Sequence, residues 1–273
     1  MHEFPEPRHF RDESEALYRL LQGVEDAVFE RETQFKRWSA GDILTHLHFW
    51  NGAVEQSLAD AAGFAAFAAR LRAELQRSSL RAMENAAVAP LRGRALLQAW
   101  RERCARVAER FAAADPKARL QWVGPGMSAR SSISARLMET WAHAQAIYDL
   151  LGAERVDTDR VHSIAVLGVN TYGWTFRNRG EEPPAPRPDV RLTAPSGAQW
   201  RWGEPNEDHF VEGSAVEFCQ VVAQTRNIAD TRLSVRGEPA MRWMAQAQCF
   251  AGAPQAPPAP GTRFKARSPD RTR

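Results

Sequence analysis

The sequence predicts a helical bundle followed by a small α+β domain, and three observations carry that prediction. Up to about Gly180 the apolar residues recur at helical spacing. Glu181-Glu-Pro-Pro-Ala-Pro-Arg-Pro188 then places four prolines in six residues, which excludes both a helix interior and a central strand. Beyond it the period falls to two: Val190 and Leu192 alternate with polar neighbours, as do Trp200 and Trp202. The expected organisation is an arm over 1–11, a bundle over 12–180, a linker over 181–188, an α+β domain over 189–252 and a disordered basic tail over 253–273.

The arm contains Pro5 and Pro7. Asp12-Glu-Ser-Glu15 has the spacing of a capping box and precedes Leu17, Leu20, Leu21 and Val24, so a first helix is expected from Asp12 to about Glu30. Ser39 is a natural cap for the next helix. There Ile43, His46, Leu47, Trp50, Ala53 and Val54 make one amphipathic stripe, with His46 on it. His48 lies two residues on, about 200° around the helix, and points elsewhere. Residues 58–86 are Ala-rich and read as helical with a polar surface. Leu96, Leu97, Trp100, Cys104, Val107, Ala108 and Phe111 form a further amphipathic helix that Asp115-Pro116 ends.

The helix from Arg130 to Gly152, with Ser128 as its cap, is apolar on most of its circumference and therefore buried among other helices. It carries Glu139-Thr-Trp-Ala-His143. Residues four apart share a face, roughly 6 Å apart at Cβ, and this stripe is otherwise lined by Ala135, Ala142, Ala146 and Leu150. A carboxylate and an imidazole buried there need partners. A metal ion serves both, and a structural hydrogen bond between the two serves as well, so a third ligand is required. His46, the other inward histidine, is the candidate, against the commoner role of a satisfied core residue.

A last helix of the bundle is expected from about Asp157 through Ile164, Leu167 and Trp174 to Gly180. In the second domain, Ala194-Pro-Ser-Gly197 turns a hairpin and Phe210 to Glu212 forms a third strand. Ser214-Ala-Val-Glu217 caps a helix bearing Phe218, Val221 and Val222. Leu233 and Val235 make a strand, and Glu238 to Phe250 a closing helix.

Composition narrows the function. The chain has 273 residues, 44% of them hydrophobic and 25% charged, enough for one or two packed domains. No apolar run reaches membrane-spanning length and the start is polar, so a soluble cytoplasmic protein is expected, without membrane partners. Cys104, Cys219 and Cys249 lack CxxC spacing and read as buried free thiols. Five basic residues against one acidic give the last eleven residues a charge of +4, while the whole chain carries +3. The body is thus nearly neutral, and nucleic acid is not an expected partner.

Three segments together carry a family resemblance: Trp38-x7-His46-Leu47, Trp122-x-Gly-Pro-x-Met-Ser128, and Ala135-Arg-Leu-Met-Glu-Thr-Trp-Ala-His143. They resemble the mycothiol-dependent maleylpyruvate isomerase family of the DinB-like metal-binding four-helix bundles, most of all its uncharacterised, wyosine-base-formation-like branch. Leu192-Thr-Ala-Pro-Ser-Gly197, Trp202-Gly203, Gly213-x4-Phe218-Cys and Ala229-Asp230-Thr231 look like that branch's second domain, which is similar to sterol-carrier folds. The resemblance implies a divalent metal, usually zinc, held by His46, Glu139 and His143. It departs from the family at Asn51, where relatives tend to carry an acid, and at His143-Ala-Gln-Ala146, where they tend to read His-Gly-Gln-Asp.

Three protein ligands with open positions make a catalytic arrangement, and two histidines with one carboxylate suit Fe(II) as well as zinc. The expected activity is that of a metal-dependent isomerase or S-transferase in which a low-molecular-weight thiol is activated by the metal. Its substrate would be a small, anionic, unsaturated acid, gripped by Arg226 through the match of guanidinium to carboxylate. An interdomain or surface ion pair is the alternative role for Arg226. Two rival functions stand beside this one: a hydrolase using metal-activated water, and a non-catalytic, metal-stabilised binding protein. A monomer or homodimer is expected.

Overall fold

The computed structural model describes residues 4–266. The first helix, α1 (Glu6–Leu21), starts six residues earlier than its capping-box signal suggests. Proline is tolerated in a first helical turn, where its missing N–H would have no partner anyway. Pro7 occupies that turn, and Phe10 beyond it is completely buried. Glu6 also accepts a hydrogen bond from Arg130, Nη1 to Oε1 at 2.6 Å. Asp12 to Glu15 therefore lies inside the helix. The helix ends before Gly23, and only a short 3-10 turn (Asp26–Glu30) follows.

Ser39 opens α2 (Ala40–Ala59) with a complete capping box: its hydroxyl accepts from Asp42 N at 3.0 Å, and Asp42 Oδ2 accepts from Ser39 N at 2.9 Å. The Ala-rich stretch is helical as expected, in two pieces. Asp60 breaks the chain in an extended conformation and caps α3 (Ala61–Leu75) by accepting from Ala62 N at 3.1 Å. Ser79 caps α4 (Leu80–Val88) through Ala82 N at 3.2 Å. Then come α5 (Gly93–Ala112) and a small antiparallel pair, β1 (Arg119–Leu120) and β2 (Met127–Ser128), which leads into α6 (Ala129–Leu151). Ser128 Oγ accepts from Ser131 N at 3.1 Å as the expected cap. At the far end Gly152, at φ +63°, takes the left-handed conformation that terminates the helix.

The chain divides into two units, 1–144 and 145–273, so the boundary falls within α6 and not at the proline-rich segment. In the first unit α1 and α2 both pack on α5, and α2 also packs on α3 and α4. Ile133, Leu137 and Trp141 of α6 are fully buried with Trp100 and Phe111 of α5.

In the second unit the expected single helix over 157–180 is a 3-10 turn (Asp159–Val161), α7 (His162–Asn170) and α8 (Tyr172–Arg177), interrupted where Thr171 Oγ1 bonds back to Leu167 O at 2.8 Å. These helices belong with the α+β elements because they pack on them. Helix α7 lies against α9 (Ala215–Val222), and α8 against α10 (Glu238–Gln246). The four-stranded sheet has the order β4 (Gln199–Trp202), β3 (Asp189–Thr193), β5 (Phe210–Ser214), β6 (Ser234–Arg236). The β3–β5 pair is parallel and the outer pairs are antiparallel. Val190, Leu192 and Val211 bury one sheet face with Phe218, Val222 and Trp243.

The segment from 253 is not loose. Gln255 N donates to Gln248 Oε1 at 2.9 Å, Gly261 N to Asp230 Oδ1 at 2.8 Å, and Ala266 N to Asp149 O at 2.8 Å. The rest of the expected disordered tail, 267–273, lies outside the described residues. All three cysteines are buried. No helix among the described residues is long and apolar enough to cross a membrane.

Candidate metal centre

The capping box at Ser39 sets the start of α2 and places His46 in its second turn. The cap at Ser128 does the same for α6, which presents Glu139 and His143 one turn apart. His46 Nε2 lies 3.8 Å and His143 Nε2 3.3 Å from Glu139 Oε2. The three donors lie within 4.8 Å of one another. Two ligand atoms on a tetrahedral ion, each about 2.0–2.1 Å from it, stand ~3.3 Å apart. Two imidazole nitrogens and one carboxylate oxygen at these separations fit a divalent cation.

The electrostatics prepare Glu139 and His143 for a cation. Burial would raise the pKa of Glu139, but the two imidazoles that face its carboxylate, with the charge of Arg136 behind them, hold it well below the usual carboxylate value. It is therefore an anion at neutral pH. For His143 burial prevails over the attraction of Glu139 and pushes the imidazole pKa down, keeping it neutral with a free lone pair. Burial acts in the same direction on His46, yet Glu139 and Glu84 outweigh it and raise its pKa.

Several residues around the triad went unpredicted. Glu84, on α4, is 2% exposed; its Oε1 lies 2.8 Å from His46 Nδ1 and accepts from Trp50 Nε1 at 2.8 Å. Its signal was present as a carboxylate on the apolar stripe of Leu80, Met83 and Val88. Trp38 stacks on the His143 ring at 5.9 Å with an interplanar angle of 2°, and Phe35 meets the same ring edge-on at 4.9 Å. The two aromatics flank a turn in which Lys36 and Arg37 both have positive φ, and which Trp38 N closes on Phe35 O at 2.8 Å. Nothing in Lys-Arg announces such a turn, which ordinarily selects Asn or Gly. Asn51, the departure from the family pattern, accepts from buried Arg136, Nε to Oδ1 at 3.0 Å.

His48 stands apart from the triad, as its position on the helix requires. Burial, with Arg103 and Arg106 nearby, pushes its pKa down to about 4. Arg226 lies in the second unit, where its Nη1 and Nη2 donate to the two carboxylate oxygens of Asp149 at 2.8 and 2.7 Å. That fork is already filled, so a substrate carboxylate would have to displace Asp149 to use it.

Residues 10–148 match the family described as the mycothiol maleylpyruvate isomerase N-terminal domain. Uncharacterised proteins from two strains of Mycobacterium tuberculosis, CDC 1551 / Oshkosh and ATCC 25618 / H37Rv, are each 37% identical over 248 residues. These alignments cover 89% of this chain and 94% of theirs. Crystal structures of the mycothiol-dependent maleylpyruvate isomerase and of a histidine-to-alanine mutant of it superpose with a TM-score of 0.52 at 16% and 15% identity. Each covers 80% of this chain and 88% of its own. At that identity the likeness shows the fold. With a family match across its helical unit, the chain belongs to the mycothiol maleylpyruvate isomerase N-terminal domain family.

Proposed function

We propose that the protein is a divalent-metal-dependent enzyme of the isomerase or S-transferase type that uses a low-molecular-weight thiol on a small anionic unsaturated acid. His46, Glu139 and His143 would hold the metal; zinc, which takes a set of two histidines and one carboxylate in catalytic sites, is the proposed ion. The observation that carries this reading is the convergence of those three donors from α2 and α6 within 4.8 Å. The mycothiol dependence of the solved relative supports the choice of cofactor.

When bound, the cation supplies the Lewis acidity that keeps a thiol ionised at neutral pH. The chain's own groups prepare that role. Glu139 contributes a fixed negative charge, His143 a neutral imidazole, and Trp38 and Phe35 hold the His143 ring and cover it from water. The sterol-carrier likeness of the second unit belongs to this proposal, as do a cytoplasmic location and a monomeric or homodimeric state. A sheet backed by helices is the layer arrangement the likeness requires.

The test is metal analysis of the untagged protein beside His46→Ala and His143→Ala. One ion per chain in the wild type, lost in both variants, is expected, followed by turnover of unsaturated acids only when a thiol is added. A wild type that holds no metal, and takes up none from Zn, Ni, Mn or Fe(II), overturns the proposal. Turnover without thiol would replace it with the hydrolase.

A further inference from the structure

Glu84 is a buried carboxylate that meets one of the three candidate ligands. It comes from α4, a nine-residue helix outside the pair that supplies the three candidate ligands, and reaches back to α2. A carboxylate this deeply buried is costly unless hydrogen-bonded. One of its oxygens meets two nitrogens: Trp50 Nε1 at 2.8 Å and His46 Nδ1 at 2.8 Å. The indole nitrogen can only donate. A carboxylate facing His46 Nδ1 is satisfied when that nitrogen carries the proton, which leaves the lone pair on Nε2. Nε2 is the atom directed at Glu139, 3.8 Å away.

We infer that Glu84 is a positioning residue for the metal centre: by accepting a hydrogen bond from the Nδ1–H of His46 it fixes the ring's tautomer and orientation and strengthens Nε2 as a ligand. The inference rests on the metal reading above. Ligating histidines commonly give their other N–H to a carboxylate, and loss of that partner typically weakens the metal by 10–100-fold. The division of labour within the site is then unequal. His46 is oriented by a charge and a hydrogen bond, whereas His143 is oriented by the aromatic faces of Trp38 and Phe35. Trp50 completes the device by holding the same oxygen of Glu84 from the next turn of α2.

Glu84→Gln is the discriminating variant, because it keeps the shape while removing the charge and can turn an N–H as well as a carbonyl toward Nδ1, so the tautomer is no longer dictated. Zinc affinity of the full chain would be measured by competition with a chromophoric chelator for wild type, Glu84→Gln and Glu84→Asp. The 15N imidazole spectrum of each metal-free protein would report the His46 tautomer. Glu84→Gln is expected to bind one zinc per chain at least tenfold more weakly and to lose the pure Nδ1–H form of His46, with Glu84→Asp falling between. Should Glu84→Gln misfold, Glu84→Asp alone must still show the weakening. Wild-type affinity and tautomer in Glu84→Gln would overturn this inference and leave the metal site standing. A wild type that binds no zinc would overturn both.

Discussion

Arg136 is a buried charge whose surroundings are incomplete. It is 4% exposed, its Nε is held by the neutral amide of Asn51 at 3.0 Å, and its Nη2 is buried without a partner. Its charge acts on Glu139 one turn along α6, which helps keep that carboxylate ionised. A buried cation held only by a neutral acceptor is poorly compensated. Asn51→Asp would give the guanidinium a contact counter-ion with a second oxygen for Nη2. The sulfur contact that Asn51 Nδ2 makes to Cys104 at 3.2 Å is a weak one to lose. We expect the variant to be more stable by about 1 kcal/mol, read as a higher urea midpoint with an unchanged slope. An equal or lower midpoint would show that the long-range charges already suffice. The sequence marked position 51 as unusual but could not say why, because its partner is 85 residues away.

At the scale of elements, the close approach of α7 to α9 turns on one glycine. A Cβ added at Gly168 would stand 2.7 Å from Val222 Cγ2 and 3.0 Å from Phe218 Cε1. Both neighbours are essentially fully buried, so neither can retreat into solvent. Alanine would gain roughly 0.8–1 kcal/mol of helix propensity, while overpacking typically costs about 1–3 kcal/mol. Gly168→Ala is therefore expected to lower stability by about 1 kcal/mol, and a stabilised variant in chemical denaturation would refute that packing. The elements also show what sequence alone reveals. Caps at Ser39, Ser128 and Ser214 were legible because their partners lie within three residues. The capping-box pattern at Asp12 misled because Pro7 and Phe10 had already opened that helix, a decision made by burial. Two of the three donors were visible as one helical turn of α6, and His46 as a histidine on an apolar stripe. Glu84 needed the tertiary meeting of α4 with α2.

For the whole molecule, the proline-rich segment looked like the domain boundary because composition changes there, but contacts and not composition decide where a unit ends. Helices α7 and α8 precede the prolines yet pack on α9 and α10, which moves them into the second unit. The same principle governs the segment after 253. Its charge and prolines suggest disorder, but it is fastened by backbone groups to fixed partners. Gln224 Nε2 and Arg179 Nη2 donate to Gln255 O at 3.0 and 2.7 Å, and Asn227 Nδ2 to Pro258 O at 2.8 Å. The amides of Gly261 and Ala266 close further bonds to Asp230 and Asp149. Asp149 is also the carboxylate that Arg226 grips, so this segment, Arg226 and the end of α6 form one fastening within the second unit. Each such bond is worth about 0.5–1.5 kcal/mol net, offset by the ordering of the chain that makes it. Two truncations isolate the effect, one ending at Ala266 and one at Ala253. The shorter chain is expected to melt about 5 °C below the longer, and its Arg226 region to exchange amide protons faster. Melting temperatures within 1 °C of each other would mean that the fastening adds nothing to the fold, and that the expectation of a free tail was right in energy though not in position.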